Sequence, residues 1–144
     1  MASQDISNYR EGAEVCRGDD ALCRQKIAEM LKEVGLPVGL LPLADVEEFG
    51  YNRAAGFLWI LQKKKREHTF KAIKETVSYA PEVTAHVEPR KIKKVTGVKV
   101  KELFLWLSVV EVYVDASDAG KITFKTGTGL ADTFPVSAFE PLLA

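Results

Sequence analysis

Apolar residues recur with helical spacing in one stretch near the N terminus. They form a single stripe at the helical period and comprise Cys23, Ile27, Met30, Leu31 and Val34. Asp19 or Asp20 can cap this stretch, because a carboxylate there accepts the free amides of the first turn. Gly35 supplies the left-handed position that ends a helix, and Pro37 prevents the helix from resuming. The pattern therefore predicts an amphipathic helix that ends at Gly35.

The rest of the chain has the short apolar runs and turn residues of β-strands. The predicted strands are Val46–Tyr51, Phe57–Leu61, His68–Ile73, Val77–Val87, Lys91–Val95, Leu103–Val114, Gly120–Lys125 and Leu130–Val136. Short turns rich in Gly, Pro, Asp and Ser separate them, and the alternating helices of a parallel sheet are missing. We therefore predict a mainly β fold, namely an antiparallel β-barrel or sandwich of about eight strands with an N-terminal amphipathic helix.

The chain has 144 residues, which is the size of one domain with a core sufficient for folding. We expect an N-terminal helical segment, residues 1–34, to pack on an antiparallel β domain of residues 35–140. A weaker helix is predicted around Ile6–Val15, and residues 141–144 form a C-terminal tail. The start of the sequence lacks the order of a secretory signal, and no apolar run is long enough for a spanning helix. These features predict a cytoplasmic protein that can also associate peripherally with membranes.

Two runs, Phe57–Leu61 (FLWIL) and Leu103–Val110 (LFLWLSVV), are apolar at odd and even positions alike. One interpretation is that the amphipathic helix covers the outer face of these strands, so that both faces belong to the core. The alternative is that one face lines a cavity for an amphiphile. The predicted ligand-binding residues under that alternative are Trp59, Phe70, Phe104 and Trp106.

Charge is balanced over the whole chain but not along it. Twenty basic and twenty acidic residues cancel, yet residues 62–101 hold twelve basic against four acidic side chains. The predicted anionic-surface residues in this region are Lys63, Lys64, Lys65, Arg66, Arg90, Lys91, Lys93 and Lys94. A solvated loop or a protected edge strand explains such runs without any partner. The functional interpretation is attraction to an anionic lipid surface, at about 1 kcal/mol for each lysine.

Nucleic acid ranks lower as a partner than an anionic lipid surface. The chain is neutral overall, and its tryptophans lie in apolar strands without a recognisable stacking signature. An acidic protein partner remains an alternative for the basic surface.

Catalytic and metal-binding patterns are weak, and we predict no catalytic residue, no metal site and no cofactor. None of the serines stands in a Gly-x-Ser-x-Gly setting, and the two histidines, His68 and His86, lie alone in predicted strands. Paired carboxylates such as Glu47-Glu48 are explained by solvation or by pairing with a helix dipole.

The two cysteines, Cys16 and Cys23, are seven residues apart. On a continuous helix they would lie about 10 Å apart along the axis, which is too far for a disulfide. A bridge would require residues 17–20 to form a loop. We therefore expect two reduced, partly buried thiols.

Four motifs carry a resemblance to a known family. They are GLPVGLLPL (residues 35–43), EFGYN (48–52), GKITFKTGTGL (120–130) and TFPVSAFE (133–140). Over residues 16–140 the chain resembles the plant family known as domain of unknown function 538. That resemblance implies a barrel or sandwich distantly similar to the bactericidal/permeability-increasing lipid-binding proteins, and a link with stress and growth responses.

From the residues and the resemblance together we expect non-enzymatic binding of a lipid-like or pigment-like amphiphile, including at an anionic membrane surface. The resemblance also implies an alternative, a weak hydrolase acting on chlorophyll or ester substrates, with His68 or His86 as the base. A third alternative is a basic surface that docks an acidic protein and has no small-molecule pocket.

Overall fold

The computed structural model describes residues 4–140. The predicted C-terminal tail, residues 141–144, and the first three residues of the predicted helical segment lie outside the described residues.

Two α-helices and one short 3-10 helix occur in the described part of the chain. They are α1 (Gln4–Tyr9), α2 (Asp20–Val34) and the 3-10 helix (Val136–Phe139). Of the two capping residues that the sequence allows, Asp19 caps α2 by accepting a hydrogen bond from the amide of Leu22 (3.1 Å). Gly35 ends the helix with a φ of 88°, a left-handed conformation that glycine adopts without strain. No helix among residues 4–140 is both long enough and apolar enough to cross a bilayer.

Nine strands lie within residues 4–140. They are β1 (Glu14–Arg17), β2 (Val46–Asn52), β3 (Phe57–Gln62), β4 (Arg66–Phe70), β5 (Glu75–Glu88), β6 (Lys91–Glu102), β7 (Leu105–Asp115), β8 (Asp118–Thr126) and β9 (Ala131–Pro135). All the strand pairs are antiparallel, in the order β1-β2-β3-β5-β6-β7-β8-β9, and β4 also pairs with β5. The predicted mainly antiparallel β fold is confirmed.

The strands form one open sheet, so the prediction of a barrel or sandwich needs correction in this respect. Among the described residues, β1 at one end of the strand order does not pair with β9 at the other. The additional strand, β1, consists of four residues in the segment that the sequence predicted as helical. Its sequence EVCR is too short to show a strand period, and its pairing with β2 comes from residues more than 30 positions away.

The main core lies between one face of the sheet and the segments that cover it. α2 packs against β1 and β2, and the 3-10 helix packs against β8 and β9. The Pro-rich loop, residues 35–43, adds several buried leucines, and the carbonyl of Leu40 accepts a hydrogen bond from the Tyr79 hydroxyl (3.0 Å). Phe139 of the 3-10 helix packs against Phe70 and Phe124, with ring centroids 4.7 and 5.2 Å away.

A second, smaller core lies on the other face of β3. Because successive strand residues point to opposite faces, Phe57 and Trp59 face away from Leu58 and Ile60. Phe57 and Trp59 pack with Ile6 of α1, whereas Leu58 and Ile60 belong to the main core. Both faces of the FLWIL run are therefore buried. The outer cover is the α1 segment rather than the amphipathic helix named by the sequence interpretation.

Candidate functional site

The hairpin between β6 and β7 carries the most exposed apolar residues among the described residues. Glu102 and Leu105 are the last paired residues, which leaves Leu103 and Phe104 as the connection. The exposed fractions are 88% for Leu103, 96% for Phe104, 66% for Leu105 and 38% for Trp106. These four consecutive side chains, Leu103–Trp106, are called the apolar tip below. Single exposed apolar residues are common on proteins, whereas a contiguous group marks an interaction surface.

Leu103 has an uncommon backbone conformation. Its φ is 54°, in the left-handed region where hairpin connections usually place Gly, Asn or Asp. The Leu103 side chain gains no packing energy to offset this conformation, because it is almost completely exposed. Backbone strain at an exposed apolar residue is typical of a functional position rather than of a folding requirement.

Three lysines lie beside the apolar tip. Lys101 pairs with Trp106 across the hairpin, and its ammonium group lies 5.9 Å from the centre of the indole ring. Lys65 and Lys99 line a shallow depression of about 180 Å³ together with Trp106. The tip therefore combines exposed apolar side chains with adjacent positive charge.

Carboxylates lie at the same end of the molecule. The pKa of Glu75 is raised by burial and by the negative charges of Glu102 and Asp132. The pKa of Glu102 is also raised, by burial and by Asp132. The negative charges of Glu75, Glu102 and Asp132 repel an anionic surface and so oppose the attraction of the lysines to it.

The eight predicted anionic-surface residues fall into two groups that the fold separates. The first group, Lys63–Arg66, follows β3, and its Lys65 reaches the depression beside the tip. The second group, Arg90–Lys94, lies at the opposite end of β6. Lys93 and Lys101 are eight positions apart, which is at most about 26 Å in a fully extended strand, and the pairing of β6 with β7 shifts register between Lys93 and Lys99.

Acidic partners compensate part of the second group. Lys91 pairs with Glu111 (2.8 Å), and Lys93 pairs with Glu88. The structure therefore does not gather the eight residues into one basic face.

The four predicted ligand-binding residues are not brought together in one cavity. Trp59 is completely buried in the smaller core, and its indole N–H donates to Glu48 (2.7 Å). Phe70 belongs to the main core beside Phe139. Phe104 and Trp106 project from the apolar tip.

A groove of about 490 Å³ lies beside Phe70. The Pro-rich loop, β4 and the 3-10 helix line it, with Pro42, His68, Phe70 and Phe139 among its residues. Apolar surface predominates in the lining, which suits an acyl chain or another apolar group.

The two histidines have aromatic neighbours, and among the described residues neither imidazole has a hydrogen bond to a carboxylate or a hydroxyl. His68 lies edge-on to Phe70 (ring centroids 4.6 Å apart), and burial together with the charge of Arg66 lowers its pKa. No hydrogen bond among the described residues joins His68 to Ser137, which lines the same groove. His86 contacts Phe57 in the smaller core, and burial followed by the charge of Lys94 lowers its pKa. Within residues 4–140, no group of three or more His, Cys, Asp or Glu side chains could hold a metal ion.

The sequence interpretation missed Lys99, Lys101, Leu103 and Leu105 as parts of the surface at the tip. A signal was present in residues 98–101 (VKVK), because alternation of valine and lysine is typical of a strand with one solvated face. If that strand continues to Glu102, the first residues of the LFLWLSVV run become the connection of a hairpin. The absence of Gly or Asn there hid the turn.

Comparisons with known proteins identify a family but no characterised relative. Searches of curated proteins and of solved structures each return no match. The family model described as "Protein of unknown function, DUF538" matches residues 27–140. This match includes all the motifs that carried the resemblance, and it spans most of the chain, including α2 from Ile27 onward and every strand from β2 to β9. The chain therefore belongs to the DUF538 family.

Proposed function

We propose that this protein binds anionic membrane surfaces peripherally by inserting the apolar tip between lipid headgroups. The observation that carries the proposal is the exposure of four consecutive large apolar side chains, Leu103–Trp106, at the end of a hairpin. Lipid is the occupant we favour because Lys65, Lys99 and Lys101 lie beside these side chains. Tryptophan and lysine together at an apolar edge are typical of the membrane interface.

The energies of the two contributions are adequate for reversible attachment. Full burial of a leucine or phenylalanine side chain contributes about 1.5 to 3 kcal/mol, so two residues at the tip can supply several kcal/mol. The lysines attract anionic lipids within a Debye length, and this attraction weakens as salt increases. Neither contribution approaches the binding free energy of a membrane-spanning helix. We therefore expect binding to depend on both the apolar burial and the charge of the lysines.

The test is equilibrium binding to vesicles that contain phosphatidylserine, compared with vesicles of phosphatidylcholine alone. Leu103→Asn combined with Phe104→Ser should weaken binding by about 30-fold, which corresponds to the loss of about 2 kcal/mol of apolar burial. Folding should be preserved because both side chains are almost completely exposed. Trp106 gives a direct readout, since insertion of its indole shifts its fluorescence to the blue.

Leu22→Ser is the matched control, because Leu22 is an exposed apolar residue of α2 (41% exposed) outside the apolar tip. It should bind like the wild type. Unchanged binding of the Leu103/Phe104 double variant would overturn the proposal. If salt abolishes vesicle binding but the double variant still binds, attachment depends on charge alone. A basic surface that docks an acidic protein partner would depend on charge in the same way.

Uptake of a single amphiphile is a second candidate, and the groove beside Phe70 favours it. The groove volume of about 490 Å³ and its apolar lining are adequate for one acyl chain. The exposed residue Ala72 also lines the groove, so Ala72→Trp should obstruct it without disturbing the core.

A fluorescent fatty acid in vesicle-free solution tests this second candidate. Binding should be lost in Ala72→Trp and retained in the Leu103/Phe104 variant. If Ala72→Trp binds the fatty acid normally, the groove is not its site. An ester analogue tested in parallel would reveal turnover, which His68→Ala should abolish if this imidazole is a base.

A further inference from the structure

Cys16 and Cys23 lie in contact although they belong to different elements. Cys16 is in β1 and Cys23 is at the end of the first turn of α2, and their sulfur atoms are 3.0 Å apart. The segment between them is a tight strand-to-helix connection, in which Gly18 has a φ of 79° and Asp19 caps α2. A continuous helix would have kept the two thiols about 10 Å apart. The break in the helix that a bridge requires is thus present, as the connection of Gly18 and Asp19 between β1 and α2.

We propose that Cys16 and Cys23 are a thiol oxidation site that closes to an intramolecular disulfide in reaction with a low-molecular-weight disulfide such as glutathione disulfide. In the first step the Cys16 thiolate attacks one sulfur of the oxidant, forming a mixed disulfide and releasing one glutathione thiolate, which takes up a proton. In the second step the Cys23 thiolate attacks the Cys16 sulfur and releases the second glutathione. The two protein thiols lose two electrons and two protons in all, and glutathione disulfide is reduced to two thiols.

The order of these steps follows from exposure. Cys16 is half-buried and lines a cavity of about 190 Å³, whereas Cys23 is fully buried beneath it. Lys26 and Arg53 line the same cavity, where they pair with Glu29 and Glu14, so the cavity holds both signs of charge. The external oxidant therefore reaches Cys16, and Cys23 resolves the intermediate.

The environment of Cys23 affects the rate of the second step. Burial and the neighbouring Cys16 thiol raise the pKa of Cys23 to about 11. In the mixed disulfide the Cys16 thiol is gone, but burial still raises the pKa of Cys23, so ring closure should accelerate as the pH rises, by up to about tenfold for each pH unit.

The bridge would fasten an edge strand to a helix. It closes a loop of eight residues, counted from Cys16 to Cys23, between β1 and α2. Loop closure of this size in the unfolded chain, for a domain of this length, should raise Tm by about 5 to 10 °C.

The experiment incubates the full chain with mixtures of reduced and oxidised glutathione at about pH 8, where exchange is fast. The reaction is quenched with acid, and free thiols are alkylated before mass spectrometry. The expected product is lighter by two hydrogen atoms and takes up no alkylating agent. Trypsin should then release peptides 11–17 (EGAEVCR) and 18–24 (GDDALCR) joined by a disulfide.

Two variants separate the steps. Cys23→Ala should stop at the glutathione adduct on Cys16, and Cys16→Ala should remain unmodified because Cys23 is buried. Should either variant fail to fold, the wild-type protein alone still decides the matter through its equilibrium with glutathione. The folded chain should favour the disulfide by at least about tenfold over the guanidinium-denatured chain, because the fold raises the effective concentration of one thiol at the other.

Three results would overturn the proposal. They are an equilibrium constant in the folded state no greater than in the denatured state, a wild-type protein that retains the glutathione adduct, and oxidation that yields only dimers.

Discussion

Glu48 is the clearest case of a side chain whose role depends on distant residues. It is 4% exposed and accepts hydrogen bonds from Trp59 (2.7 Å), Arg10 (2.8 Å) and Arg17 (2.6 Å). The Arg10 guanidinium also lies 5.3 Å from the Trp59 ring centre. One carboxylate thus links Arg10, which follows α1, and Arg17 of β1 to Trp59 of β3, and its removal would leave the buried Trp59 N–H without an acceptor.

Glu48→Gln should lower the free energy of unfolding by about 2 to 4 kcal/mol at neutral pH, since a charged acceptor of three donors is lost. Burial alone would raise the pKa of Glu48, but the hydrogen bonds from Arg10, Trp59 and Arg17 outweigh it and leave the pKa below its ordinary value. A lowered folded-state pKa contributes stability that is present above the unfolded value of about 4.3 and is lost as the pH falls through the folded value.

Urea denaturation at neutral and acidic pH measures this effect. The difference between wild type and Glu48→Gln should shrink in acid. Glu47→Gln is the matched control, because Glu47 is the exposed neighbour and should change stability by less than about 0.5 kcal/mol. A gap between Glu48→Gln and wild type that is independent of pH would contradict the linkage.

This role could not be predicted from local sequence. The sequence interpretation explained the pair Glu47-Glu48 by solvation or by pairing with a helix dipole, whereas the fold exposes one carboxylate and buries the other. Alternation along a strand assigns successive residues to opposite faces, but it does not show which face a second layer covers. The partners Arg10 and Arg17 are 38 and 31 residues away from Glu48, so no spacing rule connects them.

At the scale of elements, the caps of α2 and the positions of most strands were predictable because their signals are local, although β6 continues to Glu102 beyond the predicted end at Val95. Asp19, Gly35 and the apolar stripe of α2 set that helix almost to the residue. Glycine also explains one close approach within the sheet. Gly50 lies opposite Trp59, and a Cβ atom at Gly50 would fall 2.1 Å from the indole ring. Only a residue without a side chain lets this tryptophan lie flat against β2.

The hairpin of β6 and β7 shows why apolar content alone is a poor guide to burial. The sequence interpretation placed the whole LFLWLSVV run in a strand buried on both faces or lining a cavity. The strand begins only at Leu105, and the first described residue of the run that is fully buried is Val109. Pairing with β6 fixes where the turn falls, and this register depends on the whole hairpin rather than on the run itself.

At the scale of the whole molecule, the number of charges follows from the sequence, whereas their arrangement in space depends on the fold. The basic residues of 62–101 follow strands that extend from one end of the sheet to the other, so they do not form one cluster. Sequence order places Lys99 and Lys101 only a few residues from the Arg90–Lys94 group, whereas the extended strand places them at the opposite end. The end with the apolar tip holds lysines and carboxylates together.

Binding to phosphatidylserine vesicles should strengthen about fivefold between neutral pH and about pH 5. The pKa values of Glu75 and Glu102 are raised, so these side chains take up protons before ordinary carboxylates as the pH falls. Their neutralisation removes repulsion from the anionic surface. His68 and His86 take up protons at lower pH than ordinary imidazoles, because burial lowers the pKa of each.

Vesicle sedimentation across this pH range is the measurement, with Glu75→Gln combined with Glu102→Gln as the comparison. The double variant should bind more tightly than the wild type at neutral pH and change less with acidification. Binding that weakens in acid would count against the arrangement of charges described for the tip.

The left-handed conformation of Leu103 lowers stability while it keeps an apolar side chain exposed at the tip. This conflict affects any attempt to engineer the protein. Glycine or asparagine at residue 103 would relax the backbone, so thermal selection of a variant library would enrich those residues. Each variant selected in this way would have lost the Leu103 side chain from the apolar tip. Thermal stability and the proposed membrane binding would then change in opposite directions in the same library. The most stable variants would be the ones expected to bind membranes least.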